Sequence, residues 1–257
     1  MISLIKTKEE IQKMRIVGRI SAKVLEFIEP YVLPGISTGE IDRICHDYIT
    51  KEMKAIPACL NYHGFPKSIC TSVNDVICHG VPSEKEILKE KDIINIDVAV
   101  FKDGFYGDTS KMFFVGKPEV NSKNLCKIAQ LSLYIAIKII KPGLSLRSIG
   151  KTIQNFVRKH QFSIVREYCG HGIGRSFHED PPILHYDAED KGIKLQPGMI
   201  FTIEPMINYG SEESKIMEDG WTVKTVDKSL SAQYEHTVLV TKSGYEILTL
   251  RKEESFF

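Results

Sequence analysis

The sequence predicts an α+β fold of pseudo-twofold plan, each half running helix, helix, then strands that carry acids, on three observations. Two capped amphipathic helices open the chain, a strand hairpin bearing two aspartates follows at 93–115, and the same succession returns at a nearly constant offset. The two similar halves, about 1–115 and 116–250, are expected to form one domain spanning 1–257. A chain of 257 residues can bury roughly three quarters of its unfolded surface, so a sizeable core is available.

The first helix is announced by Thr7-Lys8-Glu9-Glu10, which has the form of a capping box. Ile11, Met14, Val17, Val24 and Ile28 then recur at helical spacing until Pro30 interrupts. Pro34-Gly35 marks a turn. Ser37-Thr38-Gly39-Glu40 repeats the capping pattern, and Ile41, Ile44, Cys45, Tyr48 and Ile49 line one face of a second helix. From Cys59 to Val81 short apolar runs mix with turn residues, and a charged surface loop covers Ser83 to Lys91.

Ile93 to Phe101 and Phe105 to Val115 are rich in β-branched and aromatic residues around Lys102-Asp103-Gly104, the composition of a tight hairpin turn. A two-residue loop, whether Lys102-Asp103 or Asp103-Gly104, leaves Asp97 and Asp108 on one face of the ribbon. A three-residue loop puts them on opposite faces. Two ionised carboxylates sharing a half-buried face repel each other and lose hydration, so protons, cations or a metal must compensate.

The pattern then begins again. Leu125 to Ile140 reads as a helix, Pro142-Gly143-Leu144-Ser145 echoes Pro34-Gly35-Ile36-Ser37 at an offset of 108, and Ile149 matches Ile41 in a further helix. His171-Gly172 stands at the same offset from His63-Gly64. Met199 to Glu204 resembles Asp92 to Asp97 with a shift of 107, and Tyr234-Glu235-His236-Thr237 pairs with Gly107-Asp108-Thr109-Ser110 after an insertion. If the halves face each other, Asp97 and Asp108 meet Glu204 and Glu235, with His171 arriving from the loop Cys169 to Gly174. Four carboxylates and one imidazole suit divalent Mn, Fe, Co or Zn and carry too many anions for one cation. A pair of ions roughly 3.5–4 Å apart can hold a bridging water and lower its pKa toward about 7, which points to hydrolysis.

The balance of 34 basic against 33 acidic residues, a formal charge of +1, makes no global electrostatic case for nucleic acid or an anionic membrane. Neither partner is expected. Six cysteines without CxxC spacing suit reduced thiols, no signal-peptide core opens the chain, and no run reaches roughly 18 apolar residues. A soluble, cytoplasmic protein is expected. His63 and His236 are expected to be structural or hydrogen-bonding neighbours, and His46, His160 and His185 to take surface roles.

The motifs NYHGFPKSIC (61–70), VICHGVP (76–82), NIDVAV with GFYGDTSKMF (95–112), EYCGHGIGRSFHEDP (167–181), GMIFTIEPM (198–206), DGWTVKT (219–225) and SAQYEHT (231–237) are each weak alone and specific together. Through them the chain resembles the type I methionine aminopeptidases of bacterial form, in peptidase family M24, over essentially its whole length. The resemblance implies the pita-bread (creatinase/aminopeptidase) fold, a curved antiparallel sheet with helices on its outer face and a dimetal site in its concave face. By position, Asp97 would hold one metal, Asp108 and Glu235 would bridge the pair, and His171 and Glu204 would complete the second. The cofactor would be two divalent ions, Co, Mn, Fe or Zn. A bridging hydroxide would attack the first peptide bond while Glu204 accepts and relays its proton. His79 and His178 resemble the family's two non-ligand active-site histidines, one at an amide nitrogen and the other at the carbonyl oxygen or developing oxyanion. Cys59, Tyr62, Phe65, Cys70, Phe177 and Trp221 match positions lining the methionine pocket.

The implied partner is the N-terminal methionine of nascent polypeptides with a small second residue, met by a monomer in transient contact with the ribosome. The chain shows neither the zinc-finger extension of eukaryotic type I enzymes nor a large type II insertion before residue 200. The loop Tyr209 to Asp219 is acidic where the family's ribosome contact is thought to be basic, which implies docking that is weaker or placed differently. The rivals are an Xaa-Pro dipeptidase or aminopeptidase P, which usually carry an extra N-terminal domain, and a non-catalytic pita-bread protein that has lost its ligands.

Overall fold

The computed structural model describes residues 4–188 and 192–254. In chain order, α1 (Lys8–Ile28) and α2 (Thr38–Asp47) precede β1 (Ile56–Pro57), β2 (Cys70–Val73), β3 (Val76–Cys78), β4 (Ile93–Lys102) and β5 (Phe105–Phe114). Then come α3 (Val120–Lys138), α4 (Arg147–Lys159), β6 (Ser163–Ile164), β7 (Gly170–Gly172), β8 (Glu179–Ile183), β9 (Ile200–Ile203) and β10 (Met206–Asn208). The succession β11 (Ser214–Ile216), β12 (Val223–Thr225), β13 (Ser231–Gln233), β14 (His236–Val240) and β15 (Tyr245–Ile247) completes it.

Both opening helices start where their caps place them. Thr7 Oγ1 accepts from the Glu10 N–H and Glu10 Oε2 from the Thr7 N–H, the reciprocal pair of a capping box. Ser37 Oγ accepts from the Glu40 N–H at 3.0 Å. α3 begins at Val120 and ends at Lys138, against the expected Leu125 to Ile140. Its first turn is polar apart from Val120, which is 82% exposed, so apolar periodicity gives no sign of it.

Every strand ladder among the described residues is antiparallel. The expected sheet is divided into four: β5 and the β1/β2 edge flank β4 in one, while β13-β10-β6, β11-β12-β3 and β15-β14-β9-β7-β8 form the others. The acidic stretch 209–219, read as a loop, contains β11, and His171, also assigned to a loop, lies on β7. Short strands flanked by Gly and Ser carry too little alternation to stand out from loop sequence.

Lys102 pairs with Phe105, so the β4–β5 loop is Asp103-Gly104, with φ of +51° and +84°. Both residues have the positive φ of the primed turn that matches strand twist. Asp97 lies opposite Ser110 and Asp108 opposite Ala99, which leaves both carboxylates on one face. On the other face Ile94, Ile96, Val98 and Val100 pack with Met14, Val17 and Ile41 of α1 and α2. A second core joins Leu125, Ile128, Leu133 and Ile149 of α3 and α4 to Phe201, Ile203, Ile207 and Val238. Helices thus cover one side of the strands and leave the acids on the other.

Candidate active site

Asp97, Asp108, His171, Glu204 and Glu235 line one cavity of about 430 Å³, in whose wall Cys59, Tyr62, Phe65, Cys70, His79, Phe177, His178 and Trp221 also stand. Every site residue expected from sequence lies there. Asp108, His171 and Glu235 offer ligand atoms that all fall within 4.8 Å of one another. His171 Nε2 stands 3.6 Å from Asp108 Oδ2 and 3.7 Å from Glu204 Oε1.

The backbone sets that imidazole. Gly170 and Gly172 let β7 approach its neighbours closely: a Cβ on Gly170 would meet the Thr202 carbonyl oxygen at 2.4 Å, and one on Gly172 that of Asp180 at 2.2 Å. His171 Nδ1 lies 3.0 Å from the Gly172 carbonyl oxygen, which can only accept. The ring proton therefore sits on Nδ1, and Nε2 turns its lone pair toward the acids in the neutral ring. Glu204 is fixed by Thr202 Oγ1, which donates to Oε1 at 2.8 Å, and by Gln233 Nε2, which donates to Oε2 at 3.3 Å.

These groups cannot all be charged in a site without cations. Burial, then the neighbouring charge of Asp108, pushes the Asp97 and Glu235 carboxyls well above the usual range. Burial pushes Glu204 up to about 7, with His171 opposing and Asp108 adding to the rise. Burial disfavours the charged form of His171, but the carboxylates of Asp108 and Glu204 beside its ring outweigh that and raise its pKa. Asp108 Oδ1 and Glu235 Oε1 are buried with no hydrogen-bond partner. Orphaned, mutually repelling carboxylate oxygens beside an imidazole lone pair fit divalent cations.

Next to the acids the cavity is apolar. Cys59, Phe65, Cys70 and Phe177 are buried together, and Tyr62 and Trp221 pack on them. The Phe65 and Trp221 rings meet edge to face at 5.2 Å. His178 stands at the exposed rim, its Nδ1 2.7 Å from the Tyr62 hydroxyl. His79 takes the left-handed conformation at φ +55° directly after β3, a strained backbone that aims the ring at the cavity.

Glu167, Tyr168, Cys169 and Met206 also line the cavity and were not singled out from sequence. The Tyr168 ring meets His79 edge-on at 5.5 Å. Their contiguity with the CGHG run and with Glu204 was the available signal. The surface role expected of His185 is wrong: it is 1% exposed, and its Nε2 accepts the Glu204 N–H at 3.1 Å. His46 is half-buried and pairs with Ser68 Oγ at 2.7 Å, whereas His160 is on the surface as expected. His236 is a buried hydrogen-bonding neighbour, bound through Nδ1 to Thr249 Oγ1 at 2.9 Å.

Residues 12–242 match the model of metallopeptidase family M24. The methionine aminopeptidase of Escherichia coli strain K12 is 62% identical over 251 residues, covering 98% of this chain and 95% of that one. The crystal structure of methionine aminopeptidase from Rickettsia prowazekii superposes with a TM-score of 0.94 at 49% identity, covering 97% and 100% of the two chains. The prolidase from Pyrococcus horikoshii shares the fold, with a TM-score of 0.75 at 22% identity over 97% of this chain and 64% of that one. The architecture is the pita-bread fold.

Proposed function

The chain belongs to metallopeptidase family M24 and, within it, to the methionine aminopeptidases, and from that membership we propose that it removes the N-terminal methionine of nascent polypeptides whose second residue is small. The observation that carries the reading is one cavity holding both the acid–imidazole cluster and the apolar pocket of Cys59, Phe65, Cys70 and Phe177. As a metallopeptidase it works with a divalent metal, and two ions, Co, Mn, Fe or Zn, are the better fit to four carboxylates. Asp97 would hold one, Asp108 and Glu235 both, and His171 and Glu204 the other. When bound, such ions supply a nucleophilic water at neutral pH and polarise the scissile carbonyl.

The rest is done by side chains. The soft, aromatic pocket accepts an unbranched thioether and excludes water around it. Glu204, held by Thr202 and Gln233, accepts a proton at a carboxylate oxygen and returns it toward the leaving amine. His79 and His178 reach the substrate amide and carbonyl, where an imidazole N–H steadies the developing oxyanion. We read the chain as one catalytic domain of two halves. The matched turns support this: Gly35 N–H donates to Leu88 O and Gly143 N–H to Leu195 O, both at 2.8 Å. No helix among the described residues is long and apolar enough to cross a membrane. The proposal extends to a cytoplasmic monomer in transient contact with the ribosome.

The test is release of free methionine from Met-Ala-Ser by metal-loaded protein, with Ala-Pro-Ser as the rival substrate. Cleavage of the first alone is expected. H79A and H178A should each lower kcat by about 10²–10³ and keep their metal. An untouched Met-Ala-Ser would sink the proposal.

A further inference from the structure

Asp108 lies on β5 and Glu235 directly before β14, two strands in different ladders. Where they cross, three hydrogen bonds among the described residues join β5 to 235–240. The Glu235 N–H donates to Ser110 O at 3.1 Å, Thr109 Oγ1 donates to Glu235 O at 2.7 Å, and Thr237 Oγ1 donates to Asp108 O at 2.7 Å. The hydroxyls form a reciprocal pair: the main-chain carbonyl of each acid is held by a threonine one or two residues beyond the other acid. Both threonines are fully buried.

A carbonyl only accepts, so the proton of Thr109 is committed and its oxygen is free to receive. It receives Arg251 Nη1 at 2.8 Å, while Arg251 Nη2 donates to Glu254 Oε1 at 2.6 Å. On the other strand, Thr249 Oγ1 accepts the Thr237 N–H at 3.0 Å. The segment 249–254 therefore latches both sides of the crossing. A buried Arg–Glu pair returns little more than its own desolvation, which makes it weak evidence for stability and leaves positioning as the role this one fits.

We propose that Thr109 and Thr237, backed by Arg251, are positioning residues that set the separation of the Asp108 and Glu235 carboxylates. The proposal rests on the metal-centre reading above. Its test is calorimetric titration of metal-stripped protein with Mn(II), alongside kcat and KM for Met-Ala-Ser, in wild type, T109V, T237V and T109S, with E235Q as the ligand control. Valine keeps the shape and removes the hydroxyl. T109V and T237V should each bind Mn(II) about 10–100-fold more weakly and lose kcat with KM little changed, while T109S stays near wild type. Valine variants that bind Mn(II) like wild type, whatever their melting temperature, overturn the proposal. They sit on different strands, so if one fails to fold the other decides. Wild type that takes up no Mn(II), or E235Q that binds it undiminished, instead overturns the metal-centre reading and the clamp with it.

Discussion

Glu204, with a pKa pushed up to about 7, holds its proton in the metal-free folded protein at pH values where the unfolded chain, near the ordinary 4.5, has lost it. Its contribution to stability is complete below about 4.5 and is lost as pH rises through about 7. Asp97 and Glu235 act in the same sense. Thermal unfolding of metal-free protein from pH 5 to 8 should therefore show a melting temperature that falls relative to E204Q, and Mn(II) should abolish the fall by taking the protons' place. A gap between the two proteins that does not change with pH contradicts this. At this scale the sequence was most legible where a residue type carries its chemistry with it, as at Asp97, Asp108 and His171. His185 and Thr202 were not legible, because nothing in their own neighbourhoods says that the fold brings them to Glu204.

The hairpin β4–β5 and the helix α1 were legible as elements because their signals are local: a positive-φ turn at Asp103-Gly104, and a capping box at Thr7. Strand β7 was not, since Gly-His-Gly has no alternation, its pairing with β8 shifts register between His171 and Gly172, and its other partner, β9, is distant in sequence. Its two glycines give a prediction. Gly172→Ala forces a methyl group to within 2.2 Å of the Asp180 carbonyl oxygen unless the strand moves. A shift of order 1 Å at His171 should lower kcat/KM about 10²-fold. Steady-state kinetics on Met-Ala-Ser, with circular dichroism to verify folding, check it. A folded G172A variant of normal activity would show that β7 tolerates displacement.

Across the whole molecule, two helix-covered cores put their acids into one cavity, and the turns at Gly35 and Gly143 make matching hydrogen bonds at the offset read from sequence. That plan was legible because duplication repeats short motifs at one spacing. The latch of Arg251 across the β5–β14 crossing was not, since it joins residues 142 apart that share no motif. On the function proposed above, residues from both halves, Asp97, Asp108, His171, Glu204 and Glu235, cage two divalent ions for peptide hydrolysis. Elemental analysis of protein purified without chelator, paired with methionine release from Met-Ala-Ser in wild type and Asp97→Ala, tests it most directly. The account predicts up to two divalent ions per wild-type chain, fewer in Asp97→Ala, and release confined to wild type. Full activity in Asp97→Ala, or wild type that releases methionine with no ion bound, would contradict it.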